Sequence, residues 1–111
     1  MTIQEITASD AAAAIAAGAF LVDVRNDDEW NAGHAPSALY ITLSEVPTRY
    51  SEIPRDRDII VVCRAGARSL KAAELLEAQG FNAYNLTGGM QSWEASNLTV
   101  IDGEGNPGTV I

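Results

Sequence analysis

Asp58-Ile59-Ile60-Val61-Val62-Cys63-Arg64-Ala65-Gly66-Ala67-Arg68-Ser69-Leu70 is the stretch on which the fold turns. Its four β-branched residues, Ile59 to Val62, show no polar alternation, the pattern of a strand covered on both faces in a parallel sheet. The single cysteine follows directly. After a short loop, Leu70 to Gln79 reads as an amphipathic helix stopped by Gly80. Strand, tight loop and helix start together aim backbone N–H groups and the positive end of a helix dipole at one point. A thiol at that point has a lowered pKa and reacts as the thiolate.

The loop itself supports a reactive Cys63. Arg64 and Arg68 flank it closely, and Ala65, Gly66 and Ala67 let the backbone curl without side-chain obstruction. Arg64, Arg68 and Lys71 are three of the chain's seven basic residues, so positive charge gathers here. An ordinary free cysteine is buried and inert. With this loop and helix behind it, the reactive reading is favoured.

Outward from this stretch, strands and helices alternate. Ile3 to Ile6 reads as a short edge strand, and Thr7-Ala8-Ser9-Asp10 as a capping box opening a helix from Ala8 to Ala17 that ends at Gly18. Phe20 to Val24 reads as an interior strand, Asp27 to Ala32 as a helical turn ended by Gly33, and Leu39 to Ile41 as a third strand. Ser44 to Tyr50 reads as a short helix starting near Pro47. Asn82 to Leu86 is the fifth strand and Gly89 to Ser96 the last helix. The pattern predicts an α/β fold, a mainly parallel five-stranded sheet with helices on both faces. Ligands of such sheets bind beyond the carboxyl ends of the strands, where Cys63 falls. Residues 1–101 make one domain, and the acidic, glycine-rich stretch 102–111 reads as a loose tail.

Four stretches carry a family resemblance: Cys63-Arg64-Ala65-Gly66-Ala67-Arg68-Ser69; Leu21-Val22-Asp23-Val24-Arg25; Gly33-His34-Ala35-Pro36-Ser37-Ala38; and Gly88-Gly89-Met90-Gln91-Ser92-Trp93. Their content and order resemble the rhodanese (thiosulfate sulfurtransferase) family, from about Ile3 to Val100. The resemblance implies a rhodanese-like fold in which Cys63 is the nucleophile. It would attack the outer sulfur of a donor such as thiosulfate, release sulfite and carry a persulfide, which a thiol or cyanide then discharges. No cofactor is implied beyond that covalent persulfide.

By motif position Arg68, and less strongly Arg64, would hold the sulfonate end of thiosulfate, because a guanidinium fork suits tetrahedral oxyanions. Ala65, Gly66 and Ala67 would bind through backbone alone. Ser69 reads as a residue of the helix N-terminus rather than a catalytic hydroxyl. Asp23 and Arg25 match the family's Asp-Val-Arg motif; an orienting role for Asp23 competes with a structural ion pair, such as Arg25 with Glu29. By the same resemblance His34 is structural, outside the mechanism. Met90, Trp93 and Trp30 read as packing residues. Ser37 and Asn97 stand where the family commonly has glycine, and asparagine tolerates the left-handed turn required after the last helix.

The rival enzyme is a dual-specificity-type phosphatase or arsenate reductase, whose cysteine and arginine are separated by five residues. Here four separate Cys63 from Arg68, and Val62 precedes the cysteine where those phosphatases carry histidine. The shorter loop makes a tighter cradle, suited to one sulfur atom. The other rival is a non-enzymatic relay or sensing module that passes its persulfide to a dedicated protein. With one cysteine the chain cannot resolve a persulfide as an internal disulfide, so discharge must go outside.

Composition narrows the field further. With 111 residues and 47% hydrophobic content the chain fits one domain with one core. The net charge of −8 argues against nucleic acid. It does not forbid an anionic substrate, because fields fade over roughly 8 Å at physiological salt and the loop's cations and amides act at contact range. One cysteine and one histidine make no metal ligand set. The most apolar stretch, Ala11 to Val22, is too short to span a membrane and no basic residue precedes it as in a signal peptide. A lone unpaired thiol points to a reducing cytoplasm. The oligomeric state is open between a monomer and a weak homodimer.

Overall fold

The structure, a computed structural model, describes residues 3–111. Strands β1 (Gln4–Ile6), β2 (Phe20–Asp23), β3 (Leu39–Tyr40), β4 (Ile59–Val62) and β5 (Ala83–Leu86) form one sheet in the order β1-β5-β4-β2-β3. Every pair is parallel. Helices α1 (Ala8–Ala16), α2 (Asp27–Ala32), α3 (Val46–Arg49) and α4 (Ala67–Ala78) connect them, and α5 (Gly89–Ala95) follows β5.

β4 lies at the middle of the sheet, and its unbroken β-branched run has a direct cause. Ile59 and Val61 point into one core with Val22 and with Ala72, Ala73 and Leu76 of α4. Ile60 and Val62 point into the other, with Leu21, Leu86, Ala8 and Ala11 of α1, and Met90 and Trp93 of α5. All four side chains are buried, each worth about 2 kcal/mol relative to exposure. Cys63 continues the alternation onto the α4 face. The strand that presents the thiol is thus the most firmly anchored in the sheet.

Local signals set most element ends. The Thr7 hydroxyl accepts from the Asp10 N–H and caps α1. Gly33 ends α2, and Asn97 adopts φ 60° after α5, the left-handed turn expected of it. The expected Ser44–Tyr50 helix is instead α3 flanked by 3-10 turns at Leu43–Glu45 and Tyr50–Glu52, with Pro47 in its first turn. α4 begins at Ala67, three residues before the sequence pattern suggested, because Gly66 turns the chain into the helix at φ 123°. Ser69, Ala72, Ala73 and Leu76 form its buried stripe.

The stretch after Ile101 departs from the expected loose tail. Ile101 pairs with His34 through both backbone bonds and bridges to Pro107. Gly108 N–H donates to the Val100 carbonyl, Thr109 N–H to the Ala32 carbonyl, and Val110 N–H to Glu94. Val110 also packs on the α1/α5 core. The segment folds back as a strap, held by main-chain bonds that leave little trace in side-chain pattern. Among the described residues no helix is long and apolar enough to cross a membrane.

Candidate active site

Cys63 sits where β4 ends, 2% exposed, with its sulfur turned toward the start of α4. The Gly66 N–H donates to Sγ at 3.1 Å, and the Ser69 Oγ lies 3.2 Å away. Burial pushes the thiol pKa up. The Ser69 hydroxyl and the N–H groups of Ser69, Gly66 and Ala65 outweigh it and hold the thiol below its ordinary value. Of the loop amides, Gly66 contributes its backbone N–H directly to the sulfur. Ala67 opens α4.

The loop is held in shape from outside. The Met90 N–H donates to the Cys63 carbonyl at 2.8 Å and the Gln91 N–H to the Arg64 carbonyl at 3.1 Å. With the carbonyls bound by the first turn of α5, the amides are left to face the sulfur. This contact needs Gly89: at φ 59°, any Cβ there would run into the Cys63 and Arg64 carbonyl oxygens. The Gly88-Gly89 pair of the sequence therefore supports the loop.

Ser69 does more than occupy the helix N-terminus. It is fully buried, and besides Sγ its hydroxyl reaches the Gly66 carbonyl at 3.3 Å and Asn85 Oδ1. Asn85 Nδ2 bonds the Gly66 carbonyl at 3.2 Å and the Glu5 carboxylate at 3.1 Å. Asn85 and Glu5 escaped sequence reasoning. The available signal was a polar residue inside the apolar Ala83–Leu86 run of an interior strand.

Asp23 and Arg25 form a fully buried pair. Arg25 Nε donates to Asp23 Oδ1 at 2.9 Å, Nη2 to Oδ2 at 2.8 Å and to the Gly33 carbonyl at 2.7 Å. The pair ties the end of β2 to the end of α2. This corrects the expected Arg25–Glu29 pair: Arg25 is drawn inward to Asp23 two residues earlier. Glu29 instead takes Arg68 in a two-pronged pair, Nη1 to Oε1 at 2.7 Å and Nη2 to Oε2 at 2.9 Å. The Arg68 hydrogen bond brings the Glu29 carboxyl down to about 2, against the opposing effect of burial and with help from the Asn26 N–H.

Arg68, expected to greet a sulfonate, is thus largely neutralised by Glu29, a partner the sequence analysis had placed elsewhere. Arg64 donates through Nε to the Ile111 main-chain oxygen at 2.8 Å, and its Nη1 and Nη2 reach the Gln91 side-chain oxygen. Both arginines line an open cleft with Asn26, Asp28, Glu29 and Ile111. His34 is buried away from this chemistry, its ring stacked 3.5 Å from Trp30 and its Nδ1 bonded to the Trp30 carbonyl. Trp30 also stacks on Tyr40, whereas Met90 and Trp93 pack the α1/α5 core. Among the described residues no three His, Cys, Asp or Glu side chains gather to hold a metal ion.

The model of the rhodanese-like domain matches residues 7–96. A protein of Allochromatium vinosum named sulfurtransferase is 42% identical over 86 residues, covering 77% of this chain and 80% of that one. Among solved structures, a rhodanese-related protein from Thermoplasma volcanium superposes with a TM-score of 0.83 at 32% identity, over 88% of this chain and 97% of that one. A rhodanese-like domain protein from Staphylococcus aureus gives 0.76 at 32% identity, over 82% and 91%. By sequence and by fold, this chain belongs to the rhodanese-like domain family.

Proposed function

We propose that the protein is a sulfurtransferase that carries sulfane sulfur on Cys63, taking it from thiosulfate or a persulfide donor. The observation that carries this reading is the sulfur held at 3.1 Å from the Gly66 N–H and 3.2 Å from the Ser69 hydroxyl. These donors favour the thiolate over the thiol. The thiolate attacks the outer sulfur of thiosulfate and an S–S bond forms. The bond to the sulfonate sulfur breaks, and sulfite leaves with its electron pair. Cys63 then bears a persulfide anion, which the same amides stabilise. Cyanide or a thiolate takes the outer sulfur and regenerates the Cys63 thiolate.

With Arg68 compensated by Glu29, the donor's sulfonate meets the cleft chiefly at Arg64 and at the outer edge of the Arg68 guanidinium. The acceptor is a small thiol, cyanide or a protein thiol, and a lone reactive cysteine suits a reducing compartment such as the cytoplasm. The test is intact-mass measurement after thiosulfate treatment. A gain of one sulfur atom on Cys63, removed by cyanide with release of thiocyanate and absent in Cys63→Ser, is the expected result. An unmodified Cys63 under both thiosulfate and low-molecular-weight persulfide would overturn the reading.

A further inference from the structure

Hydrogen-bond counting around Ser69 exposes a competition for one proton. Asn85 Nδ2 spends both of its hydrogens, on the Glu5 carboxylate and the Gly66 carbonyl. The amide cannot be turned over, because Oδ1 would then face two acceptors. Oδ1 is therefore locked toward the Ser69 hydroxyl. That hydroxyl has a single hydrogen and reaches both Asn85 Oδ1 and Cys63 Sγ.

We propose that Asn85 is a positioning residue that sets the charge state of Cys63 by competing with its sulfur for the Ser69 hydroxyl proton. With a neutral thiol, the bonds run from S–H to Ser69 Oγ and from Ser69 O–H to Asn85 Oδ1, and every group is satisfied. With a thiolate, the Ser69 proton must turn to Sγ, and the buried Asn85 Oδ1 loses its donor, a costly state at 4% exposure. Asn85 therefore opposes the amides and keeps the resting thiol from ionising too readily.

The consequence for loading rests on the sulfur-transfer reading. When Cys63 carries a persulfide, the negative charge moves to the outer sulfur, and Sγ no longer needs the Ser69 proton. Ser69 returns to Asn85, so the pair favours the loaded enzyme over the unloaded thiolate. Other charges near the sulfur are Arg68 on α4, Asp23 at the end of β2, Arg25 just beyond it, Arg64 in the loop and, behind Asn85, Glu5 on β1. The bonds that hold the first four do not involve Asn85. Glu5 retains the Thr87 hydroxyl at 2.9 Å when Asn85 is replaced.

The experiment is the pH dependence of Cys63 alkylation by iodoacetamide, with no sulfur donor present. Ser69→Ala should move the midpoint up, and Asn85→Leu, close in volume but without an acceptor, should move it down, each by about one pH unit. The double variant should match Ser69→Ala, since Asn85 acts through the hydroxyl. If leucine prevents folding, Asn85→Ala is read in the same way. A merely structural Asn85 would loosen the loop and move the midpoint up, as Ser69→Ala does. That result, an unmoved midpoint or simple additivity in the double variant would overturn the proposal. Opposite shifts in a protein that accepts no sulfur would leave this inference standing while removing the proposed function.

Discussion

Glu29→Gln separates what the Glu29–Arg68 pair does for the fold from what it does to the donor site. Glutamine keeps an acceptor for the Asn26 N–H, 3.1 Å from Glu29 Oε1, so the cap of α2 survives while the charge and one of the two Arg68 bonds are lost. The folded carboxyl titrates at about 2, against 4.5 for the free group. At 1.36 kcal/mol per unit that difference sets a ceiling of about 3 kcal/mol. Arg68 is one-third exposed, and solvent screening reduces the expected effect to about 1–2 kcal/mol. The folded pKa lies below the unfolded one, so this stability is fully present above about pH 4.5 and is lost as pH falls toward 2. Urea titrations of both proteins at pH 7, 4 and 3 should show a gap that narrows in step. In parallel, releasing Arg68 from its carboxylate should lower the thiosulfate KM. A stability gap that is absent, or constant across this range, would refute the electrostatic account of the pair.

Asp23→Ala should destabilise by about 3–5 kcal/mol, because it strands the fully buried Arg25 guanidinium without its counter-charge; thermal melts measure this, and the double change Asp23→Leu with Arg25→Met should recover much of it. Gly89→Ala should cost about 3 kcal/mol or more, since a Cβ there meets backbone that cannot swing aside, and it should slow Cys63 alkylation by releasing the loop carbonyls. Arg64→Ala should raise the thiosulfate KM several-fold with little change in melting temperature, because the side chain is exposed and its bonds lie at the surface.

What was legible in the sequence was what is local. The β4–loop–α4 unit announces itself within one stretch, because the strand's two-sided burial, the cysteine and the helix follow in direct succession. Asn85 and Glu5 stand 16 and 80 residues from their partners, Ser69 and Asn85. Only the sheet order, with β5 between β1 and β4, brings them to the thiol. The Arg25 pairing went astray because Asp23 and Glu29 are both within reach along the chain. Burial decides between them, and it depends on how β2 meets the end of α2. The strap after Ile101 was misread because glycine-rich backbone pairing has no side-chain periodicity to display.

The same contacts explain how a chain of net charge −8 can hold a sulfur anion. If guanidinium charge were the main device, Arg68 would be free, yet it is tied into a carboxylate at 2.7 and 2.9 Å. Backbone amides and a hydroxyl carry no net charge. They act within hydrogen-bond distance, in a site where burial lowers the local dielectric and strengthens each bond. A thiolate stabilised in this way is insensitive to distant carboxylates and to salt. Cys63 alkylation should therefore vary little with ionic strength, whereas capture of a dianionic donor through the exposed Arg64 should weaken as salt rises. A steep salt dependence of alkylation itself would return the dominant role to the arginines.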